Sequence, residues 1–107
     1  MSLSDYSNPE MVYKRAKQIF GNKVYIFPST RKSKKYMIYD NRNDKFIHFG
    51  SSDHFDYTKY IQLYGYPIAN QHRERYLKRA LKIKGMWMKN RFSPNWLSIH
   101  LLWMKEI

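Results

Sequence analysis

The sequence predicts an α+β fold: a small antiparallel three-stranded sheet packed against an N-terminal helix and two C-terminal helices. Three observations lead there. Short β-branched and aromatic runs cluster between residues 23 and 49, and apolar residues at helical spacing stand on both sides of them. The composition, 43% hydrophobic and 18% aromatic, supplies material for one core.

Residues 1–7 read as a loose lead-in. Asn8 is placed to cap a helix whose first residue is Pro9, where a missing N–H costs nothing. Val12, Ala16, Ile19 and Phe20 then mark its buried stripe, Lys14 and Lys17 its outer face, and Gly21 its end. Lys23–Phe27 stops at Pro28 and suits a strand, as do Lys35–Tyr39 and Lys45–Phe49, with the polar turn Asp40–Asp44 between the last two. Both faces of these strands carry large side chains, so one face is expected to pack on helices and the other to be partly covered or to await a partner. Gly50–Asp56 is a loop by composition, after which Tyr57, Tyr60, Ile61 and Tyr64 repeat at helical spacing up to Gly65. Ile68–Lys84 is the best helical pattern, striped by Ala69, His72, Tyr76, Ala80 and Ile83, widened by Leu77 and Leu81, and closed by Gly85. Ser93 and Pro94 open a final helical segment whose residues Trp96–Met104 are apolar nearly all round. It is expected to fill the core, with Leu97 and Leu101 facing the first helix and the sheet.

A chain of 107 residues and 13.2 kDa fits one domain, 1–107. Without Cys it has no disulfide, thiol nucleophile or Cys-based zinc site. Met1–Glu10 is polar and interrupted by Pro9, so no signal segment is expected, and no run of about 18 apolar residues suggests a membrane span.

Charge is the strongest functional signal. Twenty Lys and Arg against eight Asp and Glu leave a formal charge of +12, which repels itself until a polyanion is bound. From Lys14 to Lys45 there are ten basic and two acidic residues, and from Arg73 to Arg91 eight basic residues against Glu74 alone. The first cluster centres on Arg31, Lys32, Lys34 and Lys35, in a connection able to straddle phosphates. The second sets Arg75, Lys78, Arg79, Lys82 and Lys84 on the outside of the long helix, continued by Lys89 and Arg91. These eleven residues are the expected nucleic-acid contacts: several cations on one surface release several counterions when a nucleic acid binds, with little sequence information. Tyr36, Tyr39 and Trp87 lie among them and are suited to stack on single-stranded bases.

Enzyme chemistry finds poor material, and no catalytic residue, metal or cofactor is expected. His48, Asp53, His54 and Asp56 form the best metal-ligand constellation, but their spacing enforces no geometry, and Asp53 or Asp56 reads more simply as a turn or cap residue. Ser29 and Thr30 lack an evident base, and no Gly-rich phosphate loop occurs. His72 and His100 fall at apolar helix positions and read as packed residues.

The stretch Ser29-Thr30-Arg31-Lys32-Ser33-Lys34-Lys35-Tyr36-Met37 resembles a family of small basic proteins of nucleocytoplasmic large DNA viruses, the giant viruses, whose biochemical role is unassigned. His48-Phe49-Gly50, Asp56-Tyr57-Thr58, Arg73 with Arg75-Tyr76-Leu77 and Arg79, Lys84-Gly85-Met86-Trp87, Ser93-Pro94-Asn95 and Leu102-Trp103 continue the resemblance in order. Tyr60–Asn70 departs from it, carrying apolar residues where a polar, charged connection belongs. The resemblance implies a viral source, a compact fold and a location in the virion or the infected host cell, in its cytoplasm or viral factory.

Two functions compete on these grounds. The first is a non-enzymatic accessory protein that binds DNA or RNA through backbone phosphates, in the virion or elsewhere. The alternative is a minor capsid protein that contacts acidic viral structural proteins, anchored by the Trp96–Met104 segment.

Overall fold

The structure, a computed structural model, describes residues 2–104. It is α+β, with a three-stranded antiparallel sheet in the order β1-β2-β3 and helices packed on one of its faces. Its elements are α1 (Pro9–Phe20), β1 (Ile26–Pro28), β2 (Lys34–Asp40), β3 (Lys45–Ser51), α2 (Tyr57–Tyr64), α3 (Tyr66–Ala80) and α4 (Pro94–Leu97). Short 3-10 turns occupy Leu3–Asp5 and Trp87–Lys89, and a π turn, Ser98–Leu102, continues α4.

The signals at the ends of α1 act as expected. The Asn8 carboxamide accepts the Met11 N–H at 3.4 Å, Pro9 takes the first helical position, and Gly21 leaves the helix at φ +96°. The lead-in is less loose than its composition suggests. Leu3–Asp5 is a 3-10 turn, and Ser7 is fully buried, accepting a 2.7 Å bond from the Tyr36 hydroxyl.

Strand β1 is shorter than the apolar run Lys23–Phe27, starting only at Ile26 and running on to Pro28. Residues 21–24 are drawn into a turn closed by Val24 N–H to Gly21 O, and Pro28, which cannot donate, is tolerated because β1 is an edge strand. The β2–β3 hairpin pairs Tyr36 with Phe49, Ile38 with Ile47 and Asp40 with Lys45. Asp40 builds its turn by accepting the Arg42 N–H at 3.0 Å and the Asn43 side-chain amide at 2.8 Å, a bonding pattern that aspartate supplies readily in turns.

Helix α3 starts two residues before Ile68 and stops at Ala80, four residues short of the expected end. Asn95 Nδ2 donates to Ala80 O, and tighter bonds from Lys82 and Ile83 to the carbonyls three residues back close the helix before Gly85 is reached. Leu81 and Ile83, expected on the buried stripe, are therefore exposed.

Ser93 caps α4 by accepting the Trp96 N–H at 3.0 Å. In the π turn, residues four and five apart lie over one another, so Leu97, Leu101 and Leu102 share an inner side and all are buried with Trp103. Helix α4 packs on β3, and the π turn on α1 and β3, as the apolar composition of this segment requires. Two buried or half-buried arginines satisfy its carbonyls: Arg15 donates to Leu101 O at 3.4 Å and Arg73 to Trp103 O at 2.6 Å. Gly50 permits the close approach. At its φ of +80° an added Cβ would lie 2.8 Å from Leu102 Cδ1 and 3.2 Å from Lys35 Cβ. One core cluster thus draws Val12 and Ala16, Tyr36, Ile38 and Phe49, Tyr57, Ala69, and the C-terminal leucines together.

Candidate nucleic-acid interface

Side chains alternate along the strands, so the register that buries Tyr36, Ile38, Ile47 and Phe49 directs Phe27, Met37, Tyr39, Phe46 and His48 to the opposite face. That outer face is an aromatic platform. Tyr25, Phe27 and Phe46 are 62%, 42% and 39% exposed, and the rings brace one another edge-on through Tyr25–Tyr39, Tyr39–Phe46 and Phe27–Phe46 contacts at 5.4–6.5 Å.

Cations stand at both ends of the platform. At one end the connection carrying Arg31 and Lys32, which runs into Lys34 at the start of β2, is tied down where Ser29 Oγ shares a 2.7 Å hydrogen bond with His48 Nδ1 and accepts the Arg31 N–H at 3.0 Å. Partial burial lowers the His48 pKa, and the positive charges of Arg31 and Lys34 lower it further. At the other end Lys23, Arg42 and Arg91 border a hollow of about 380 Å³ that also includes Tyr25 and Tyr39. Two of these guanidiniums are held over rings, Arg42 over Phe92 at 5.0 Å and Arg91 over Phe20 at 4.5 Å. Arg91 also donates to Ile19 O at 2.6 Å, and Arg42 lies 3.6 Å from the Asp40 carboxylate. Among the described residues, Lys23, Arg31, Lys32 and Lys34 make no ion pair.

Lys35 does not belong to that surface. It is 3% exposed, with its ammonium 3.4 Å from the Asp56 carboxylate and bonded to His54 O. Burial lowers its pKa, and Asp56 opposes the shift. Asp56 also caps α2 by accepting the Lys59 N–H at 3.1 Å and takes a hydrogen bond from Thr58. Sequence alone assigned Lys35 to solvent because lysine is seldom buried; a paired aspartate 21 residues away makes it an interior residue. Tyr36 is withdrawn from base stacking for the same reason: it is fully buried, and burial raises its hydroxyl pKa strongly. Tyr39 lies on the platform. Trp87 is half-buried, its indole N–H donating to Ile83 O at 2.7 Å.

The second basic cluster divides. Arg75 and Arg79, one turn apart on α3, face a separate cleft of about 490 Å³. The cleft is also lined by Lys35, Gly50, Ser51, His54, Phe55, Tyr60, His72, Tyr76, Ser98, Leu102 and Trp103. Lys78, Lys82, Lys84 and Lys89 are exposed outside it. Within the cleft Tyr60 stacks on His72 at 3.9 Å and Tyr76 on Trp103 at 4.3 Å, both pairs nearly parallel. His72 is thus a packed residue, as is His100, stacked on Trp96 at 3.8 Å.

The metal constellation considered from sequence does not converge. His48 is on the outer sheet face bonded to Ser29, His54 and Asp53 bond to Ser51 in an exposed loop, and Asp56 is buried against Lys35.

Residues 24–59, about a third of the chain, match a family of unknown function (DUF5754). The matched span comprises the sheet, the loop after it and the first residues of α2, and so contains the platform and the Lys35–Asp56 pair. No curated protein and no solved structure matches the chain.

Proposed function

We propose that this protein is a non-enzymatic nucleic-acid-binding protein that lays a single strand across the outer face of its sheet. The observation that carries the reading is the exposed aromatic platform bracketed by Arg31, Lys32 and Lys34 at one end and Lys23, Arg42 and Arg91 at the other. A ring stacks on any base, and cations at the edges take the backbone, which together give affinity with little sequence preference. Seven-residue strands span roughly 20 Å, room for a few nucleotides. Lys78, Lys82, Lys84 and Lys89 are exposed and add long-range attraction for a polyanion. The resemblance to basic proteins of giant viruses supports a setting in the virion or the infected cell. Burial of Leu97, Leu101, Leu102 and Trp103, which the capsid alternative would use as its anchor, favours the strand-binding reading over it.

Binding of a fluorescent oligothymidine or oligouridine over a salt series tests this. Log affinity should fall linearly with log salt, and replacing Arg31, Lys32 and Lys34 together by Ala should flatten the slope by about 2, since each phosphate neutralised on a single strand contributes roughly 0.7. Lys35 is left intact in that variant because its loss would disturb the fold. No binding at low salt, or an unchanged slope in the triple variant, overturns the proposal.

A further inference from the structure

The cleft beside α3 lies apart from the sheet's outer face and has the construction of a small-ligand site. Its volume of about 490 Å³ falls within the roughly 300–1,000 Å³ typical of such sites. It is assembled from Lys35 of β2, the end of β3 and the loop after it, from α2 and α3, and from the C-terminal turn.

Its chemistry is specific in two respects. Among the described residues no carboxylate lines it, and the charge of Lys35 in its wall is already matched by Asp56, so Arg75 and Arg79 remain as two cations with no ion-pair partner among those residues. Two positive charges one helical turn apart match a phosphate monoester, which carries about −1.5 to −2 at neutral pH. The rest of the lining is flat: the Tyr60–His72 and Tyr76–Trp103 stacks are ring pairs, each braced by its own partner, and Tyr60 contacts Trp103 at 6.2 Å to join them. Inorganic phosphate would engage only the arginines, and a neutral aromatic molecule only the rings.

We propose that this cleft binds a nucleotide, with the base against the Tyr60 and Tyr76 ring stacks and the phosphate held by Arg75 and Arg79. The ligand is either a free mononucleotide or the 5′-phosphorylated terminal nucleotide of a strand. Ring stacking and charge-assisted hydrogen bonds are each modest alone and act together only on a molecule that offers both. The site does not require strand binding at the sheet.

Adenosine 5′-monophosphate, adenosine and inorganic phosphate are titrated separately into the full chain, followed by tryptophan fluorescence and by amide shifts across residues 72–79. The monophosphate should saturate and bind at least about tenfold more tightly than either fragment. Arg75→Ser with Arg79→Ser, both exposed positions, should keep the parent melting temperature and weaken binding by about tenfold or more. A Phe27→Ser, Phe46→Ser variant of the platform should bind the monophosphate as the parent does, which separates this site from the proposed strand site. A 5′-phosphorylated trinucleotide that competes more strongly than the mononucleotide identifies a strand end as the ligand; weaker competition identifies the free nucleotide, and the site stands in either case. The proposal is overturned if the fragments bind as tightly as the monophosphate, if the arginine variant retains full affinity, or if the shifts map to the outer face of the sheet around Phe27 and Phe46.

Discussion

The two faces of the sheet use the same kind of residue to opposite ends. On the inner face Tyr36 and Phe49 are fully buried, stacked at 5.8 Å beneath α1 and the C-terminal turn. On the outer face Phe27 and Phe46 meet edge-on and remain open to solvent, with cations beyond them. A count of aromatic residues cannot tell these roles apart, whereas strand register can, because a shift of one residue exchanges every side chain between the faces. Burial makes the inner rings a stability element. The outer rings gain less from folding, and the surface they leave exposed is open to a partner.

The widest separation between the faces should appear in a matched pair of truncations. Phe49→Ala is expected to cost about 3–5 kcal/mol of stability, a large share of what a small domain has. Phe46→Ala should cost about 1 kcal/mol or less while weakening strand binding by about 1–3 kcal/mol. Urea unfolding together with oligonucleotide binding reads both, and equal destabilisation by the two changes would erase the distinction.

Lys35 tests the boundary between the faces. Lys35→Met leaves the Asp56 carboxylate buried without its ion-pair partner and should cost about 3 kcal/mol, part of which Asp56→Asn in the same chain should restore. A variant as stable as the parent would return Lys35 to the surface set.

The smallest effect concerns His48, whose pKa lies below its ordinary value of 6.5 because of partial burial and the nearby Arg31 and Lys34. The folded state therefore binds a proton less readily there than the unfolded chain. Its contribution to stability should be complete above about pH 6.5 and decline as pH falls through that value toward the lowered one, a slope that His48→Gln removes. A bound strand would offset Arg31 and Lys34, so the His48 titration followed by NMR should move upward on adding oligonucleotide. An unmoved titration would separate His48 from the bound backbone.

Much of the fold was legible where a local signal decides the outcome. Asn8-Pro9 and Ser93-Pro94 start helices because capping depends on neighbouring residues, and the strands follow from runs of β-branched and aromatic residues. The largely apolar segment after Pro94 identified a core element in the same way. The end of α3 was not legible, since Asn95, fifteen residues on, supplies the bond that closes it. Neither was Lys35, whose environment is set by Asp56 and by a C-terminal turn that Gly50 admits. The platform was half visible, as strands with large side chains on both faces, but which rings were free awaited the register. The cleft gave no sequence signal because its residues come from several separate stretches, and only Arg75 and Arg79 share a recognisable spacing.

The bond from Arg15 to Leu101 joins residues 86 apart and carries a consequence for how the chain reaches its native state. The β2–β3 hairpin closes through a four-residue turn and can form early, with α1 already made to meet it at Tyr36, but its inner face is fully covered only when residues 97–103 arrive. During synthesis, the interval between those events leaves a sheet with aromatic residues uncovered on both sides and a free edge along β1. Self-association of the nascent chain competes with folding in that window, and the speed at which the C-terminal turn docks over Gly50 sets how long the window stays open.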